Sequence, residues 1–136
     1  MTHHVTSMLD THPAVDAAVD RQKLAECIAA CFECAQTCTA CADACLAEDS
    51  VEQLTGCIRR CTDCADICAA TGRVLTGQTG ENADVVRALL EACRAACASC
   101  AEECERHADH HEHCRICAEA CRRCERACAD LLAALN

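Results

Sequence analysis

Aromatic side chains are almost missing from this 136-residue chain: Phe32 stands alone, with no tryptophan and no tyrosine. A domain of this length ordinarily draws much of its buried area from several rings, so an aromatic-filled core is excluded. Basic residues are scarce too, 12 against 22 acidic ones, for a formal net charge of −10. Phosphate backbones require a basic face, which excludes nucleic acid as a partner. No apolar run approaches the ~20 residues that span a bilayer, so no membrane partner is expected. Met1–Asp20 carries no basic stretch followed by an apolar run. It does not read as a secretory leader, and the expected compartment is the reducing cytoplasm.

What the chain has instead is sulfur. The 52% hydrophobic content includes nineteen cysteines, and all fall in four runs with steps of four and three. The longest is Cys27, Cys31, Cys34, Cys38, Cys41 and Cys45. Cys57, Cys61, Cys64 and Cys68 repeat the spacing, as do Cys93, Cys97, Cys100 and Cys104. The last run is Cys114, Cys117, Cys121, Cys124 and Cys128. Steps of four and three bring each run onto one face of an α-helix. Those are the seam positions that Leu, Ile or Val hold in an ordinary bundle. A disulfide scaffold fits poorly, because the thiol count is odd and thiols along one helix lack the Cα and Cβ geometry for bonding each other.

Each run lies among Ala, Leu, Glu and Arg, a helix-favouring context. The sequence predicts an all-α fold, an antiparallel up-down-up-down four-helix bundle with a cysteine-lined core. Residues 1–12, with His3, His4, His12 and Met8, are expected as a flexible tail. Residues 13–136 form one domain with helices at about 13–48, 51–76, 82–108 and 110–134. Pro13 suits a first turn, with a break near Asp20. Ser50/Gln53 and Asp109/Glu112 resemble capping boxes, and Gly72, Gly77 and Gly80 mark the turn between the second and third helices. Antiparallel register places Cys45, Cys57, Cys104 and Cys114 level at one end, with further layers below. Past the last sulfurs, Val19, Leu24, Val74, Leu75, Val85, Val86, Leu89, Leu90, Leu131, Leu132 and Leu135 predict an aliphatic plug. The other end carries His107, His110, His111 and His113, a polar mouth beside the first thiols. Charges between the cysteines, such as Glu102, Glu103, Arg122 and Arg123, read as solvated faces.

Thiolates select soft ions, Cu(I), Zn(II) or iron–sulfur clusters. Helical i,i+4 neighbours have Cβ atoms ~5–6 Å apart, so pairs such as Cys27/Cys31 and Cys64/Cys68 can clamp one ion in a near-linear S–metal–S unit. That geometry suits Cu(I). If each thiolate bridges two ions and each ion takes two thiolates, loading is on the order of one Cu(I) per cysteine. Each +1 ion then offsets one thiolate and avoids burying net charge. Zn(II) in tetrahedral four-sulfur sites would number only about four or five. The C-x2-C-x2-C runs of ferredoxins are absent. The C-x-x-C pairs, including Cys31/Cys34, are by-products of the helical repeat and lack the context of a redox dithiol. No enzyme activity is expected. A Zn(II)/Cd(II) buffer and a thiol-based redox protein remain the rival readings.

These four registered runs resemble the cytosolic bacterial copper storage proteins over about residues 24 to 134. The resemblance implies a four-helix bundle holding multiple Cu(I) ions on its inward cysteines and assembling as a homotetramer. It carries metal binding onto all nineteen cysteines and onto His107, His111 and His113 near the open end. It leaves the copper donor and acceptor unidentified. The function expected is cytosolic storage and sequestration of Cu(I), filled from the histidine end.

Overall fold

Asp20 stops the chain before its longest helix and caps it: the carboxylate accepts from the Lys23 amide at 3.1 Å. Such a cap is worth about 1 kcal/mol. The computed structural model describes residues 3–16 and 19–135, and among these it contains no strand. The helices are α1 (His3–Thr11), α2 (Arg21–Leu46), α3 (Thr55–Thr76), α4 (Ala83–His107) and α5 (Glu112–Ala134), with a 3-10 turn at Val51–Gln53. α2 packs on α3 and α5, and α4 packs on the same two, closing a ring of four long helices.

Several boundaries differ from expectation. Where a flexible tail was expected over residues 1–12, His3–Thr11 is helical and lies on α2. The reason is Leu9, which is buried, with Val5 one turn earlier packed on the same core. Pro13 therefore follows a helix instead of opening one, and the first long helix starts at Arg21. Ser50 makes no side-chain cap bond. The chain passes through the 3-10 turn to bury Leu54, and α3 starts only after it. Asp109 is likewise not the cap of α5; His111 holds that position, without a side-chain cap bond.

Gly72 lies inside α3 and does not end it. A Cβ there would sit 2.9 Å from the Phe32 ring, so this glycine lets the lone aromatic lie flat against α3. Gly80, with φ of 90°, is the position where the α3–α4 turn requires glycine.

The core is sulfur in its middle and aliphatic at one end. All nineteen cysteines are buried, together with Leu24, Leu75, Leu90, Leu131 and Leu132. Val19, Val86 and Leu135 pack around that group. Val85 leaves the expected plug: it is 57% exposed, because α4 turns Val86 and Leu90 inward instead. No helix is long and apolar enough to cross a membrane, among the described residues.

Candidate metal centre

Because α2, α3, α4 and α5 each turn their 4-3 stripe inward, the thiols of all four meet along one axis. Every cysteine is a free thiol and at most 2% exposed. Along α3 from Cys57 to Cys68, the sulfur partners on α4 run backwards, from Cys104 at 3.7 Å to Cys93 at 3.7 Å. α2 and α5 behave alike: Cys27 meets Cys128 at 3.9 Å, Cys34 meets Cys121 at 3.7 Å, and Cys41 meets Cys114 at 4.0 Å.

The levels are interleaved, not flat. Cys38 touches both Cys117 at 3.7 Å and Cys121 at 3.6 Å, and Cys61 touches both Cys100 at 3.6 Å and Cys104 at 3.8 Å. A sulfur seated between two partners packs more densely than one eclipsing a single partner, which is the ordinary preference of a core. Cys34 groups with Cys68, Cys97 and Cys124, thiols from all four long helices.

Among the described residues, several groups of potential ligands have mutual separations within 4.8 Å and could hold a metal ion, at least five of them sets of four thiols. One is Cys31, Cys93, Cys124 and Cys128; the next is Cys34, Cys68, Cys97 and Cys124. Then come Cys34, Cys38, Cys64 and Cys121, and Cys38, Cys100, Cys117 and Cys121. Cys41, Cys45, Cys57 and Cys114 make another. The first four groups share members: Cys34, Cys38, Cys121 and Cys124 each belong to two. Independent tetrahedral sites therefore compete for the same sulfurs, whereas bridging thiolates can serve two ions at once.

The thiols also govern one another's ionisation. Hydrogen bonding with Cys128 and Cys31 lowers Cys27 to about 5. Its neighbour Cys128 is correspondingly raised by Cys124 and Cys27. Burial, reinforced by the charges of Cys57 and Cys41, pushes Cys45 above the usual thiol range. One ionised sulfur is stabilised by neighbouring S–H groups and keeps those neighbours protonated. Full deprotonation of the file requires cations to replace the protons.

The histidines divide into two sets. At the end of the file, His113 Nδ1 is 3.4 Å from Cys41 Sγ and 3.7 Å from Cys114 Sγ. Its other nitrogen, Nε2, lies 2.8 Å from Glu48 Oε2, and His111 Nδ1 lies 3.0 Å from the same oxygen. Burial disfavours the charged His113, yet Cys41 and Glu48 outweigh it and raise its pKa. His113 in turn holds the Glu48 carboxyl below the usual range. His107 stands apart from this pair, bonded through Nε2 to Glu103 Oε2 at 3.1 Å. Glu103 is itself nearly buried and also pairs with Arg106 at 2.9 Å and Arg60 at 3.9 Å. Glu103 is therefore a partner of the histidine end and not a solvated face.

The cysteine spacing does not single out Glu48, and it places Glu103 among the solvated charges. Glu48 had a detectable signal, since it continues the step of three beyond Cys45. Glu103 is one turn before His107, an i,i+4 pair visible in the sequence.

The model of the copper storage protein family matches residues 20–133. Among solved structures, the copper storage protein Ccsp of Streptomyces lividans loaded with 10 copper equivalents is similar, at 58% identity and TM-score 0.93. That match covers 95% of this chain and 98% of the other. A mutant of Streptomyces lividans Ccsp matches at 58% identity and TM-score 0.87, over 88% of this chain and 100% of that one. A cytosolic copper storage protein from Streptomyces lividans, in a structure with five coppers, matches at 60% identity and TM-score 0.82. It aligns over 84% of this chain and 95% of its own. No curated protein matches the chain.

Proposed function

Because this chain belongs to the copper storage protein family, we propose that it stores Cu(I) on all nineteen cysteines, at about one ion per cysteine. The carrying observation is the file of buried thiols, joined by Sγ–Sγ contacts of 3.6–4.0 Å and by four-sulfur groups within 4.8 Å, several of which share members. Shared sulfurs suit ions that accept two bridging thiolates, and soft-ligand preference names Cu(I). Each Cu(I) entering releases a thiol proton and leaves no net charge in the core.

The opposed running of sulfur partners supports an antiparallel up-down-up-down four-helix bundle as one domain, with α1 packed on α2. His107, His111 and His113 are the proposed ligands at the entrance. His113 has the best support, since one of its nitrogens already faces two thiols. Cytosolic residence accords with the relative described as cytosolic. Homotetrameric assembly rests on the family resemblance.

A Zn(II)/Cd(II) buffer is the second reading, favoured by the four-thiol groups themselves. Sharing of Cys34, Cys38, Cys121 and Cys124 counts against it, because these groups cannot all be filled as separate tetrahedra. A redox enzyme needs one cysteine set apart in an accessible position, and uniform burial of all nineteen offers none.

Anaerobic titration of the reduced protein with Cu(I) and Zn(II) against a chelator, counting free thiols, decides among these. Saturation near one tight Cu(I) per thiol is expected. A limit of about four or five ions with Zn(II) preferred would establish the buffer. Weak binding of both metals with one reversible disulfide would establish redox chemistry.

A further inference from the structure

Glu48 lies two residues past the end of α2, while His111 is the N-cap of α5 and His113 is in its first turn, so this one carboxylate joins the end of α2 to the start of α5. An ionised carboxylate can only accept hydrogen bonds. Both nitrogens facing Oε2, Nε2 of His113 at 2.8 Å and Nδ1 of His111 at 3.0 Å, must therefore carry the hydrogen. A neutral imidazole has one N–H. That leaves the opposite nitrogen bare in each ring: Nδ1 in His113 and Nε2 in His111. The bare Nδ1 of His113 is the nitrogen 3.4 Å from Cys41 Sγ and 3.7 Å from Cys114 Sγ.

From this geometry we infer that Glu48 is a positioning residue: it fixes opposite imidazole tautomers in His111 and His113, so that Nδ1 of His113 hands Cu(I) to Cys41 and Cys114. The hand-over rests on the copper-store reading; the tautomers do not. A carboxylate on the far nitrogen of a metal-binding imidazole both orients the ring and raises its basicity. Here the same oxygen serves two rings whose centroids are 5.5 Å apart. It holds His111 in the Nδ1–H form, the minor tautomer of a free histidine side chain in water. His113 keeps the common Nε2–H form but with its ring locked towards sulfur.

The test has two arms. Long-range 1H–15N NMR of reduced, metal-free protein in mildly alkaline buffer should show Nδ1–H for His111 and Nε2–H for His113. In Glu48→Ala, His111 should revert to Nε2–H. In the second arm, transfer of the first Cu(I) equivalents from a chelator should slow about tenfold in Glu48→Ala and in the near-isosteric Glu48→Gln. Circular dichroism verifies that both variants fold. His111 found as Nε2–H in the wild type, or unchanged in Glu48→Ala, overturns the tautomer assignment. Full loading of the wild type with transfer rates unchanged in both variants overturns the hand-over alone. A wild type with the inferred tautomers that takes up no Cu(I) overturns the storage reading and the hand-over with it.

Discussion

Phe32 and Gly72 show how much one pair can matter in a chain with a single aromatic ring. Alanine at Gly72 would gain about 1 kcal/mol of helix propensity. Its Cβ would also collide with the Phe32 ring at 2.9 Å, and overpacking of that kind costs ~1–3 kcal/mol. Phe32 is 41% exposed and can swing outward at its free edge, which moderates the clash. Gly72→Ala should therefore destabilise the metal-free protein by about 1 kcal/mol. In a Phe32→Ala background the same substitution should become stabilising. Denaturant unfolding of the four proteins measures this; an unchanged sign would show that the ring does not decide the cost. The cysteine positions were legible residue by residue because the spacing alone defines a face. The role of Glu48 was not, because it depends on the histidines that another segment brings beside it.

At the level of elements, boundaries were set by what each segment could bury. α1 forms because Leu9 and Val5 reach the core, and α3 is delayed because Leu54 must be buried first. Periodicity gave the four cysteine helices, while the capping-box patterns at Ser50 and Asp109 had no such burial behind them. Between α4 and α5, Arg122 donates to both oxygens of Glu105 at 2.9 Å. This depresses the Glu105 carboxyl below its usual 4.5. A depressed folded-state value means the stabilisation is complete above pH 4.5 and lost as pH falls through the folded value. Glu105 is 47% exposed, so the bond is worth at most about 1 kcal/mol. Glu105→Gln should lower stability by up to about that amount at neutral pH, with the difference fading in acid. Unfolding curves of both proteins at several pH values test this. A gap that widens in acid would refute the assignment.

On the scale of the whole molecule, the interior is a ligand set as much as a core. Small thiols fill the space that larger aliphatics occupy elsewhere, and Leu24, Leu75, Leu90, Leu131 and Leu132 gather at the end opposite the histidines. An ion that binds only the folded state adds stability by mass action, about 2.7 kcal/mol at a hundredfold excess over Kd. Thermal unfolding under anaerobic conditions should therefore move to higher temperature with each increment of Cu(I). A Tm independent of loading would show that the thiol file does not bind the ion in its folded arrangement.

The sequence by itself determined that four helices each carry a sulfur face, since 4-3 spacing has one helical solution. It also determined the chemical class of ion, since softness belongs to the thiol and not to the fold. Only the tertiary structure decided that the sulfurs interleave instead of lying in flat layers. It also decided that neighbouring four-thiol groups share members, and that Glu48 links His111 with His113. Those relations depend on the relative offset of neighbouring helices and the path of the loops. Packing of whole surfaces sets them, and no local run of residues encodes them.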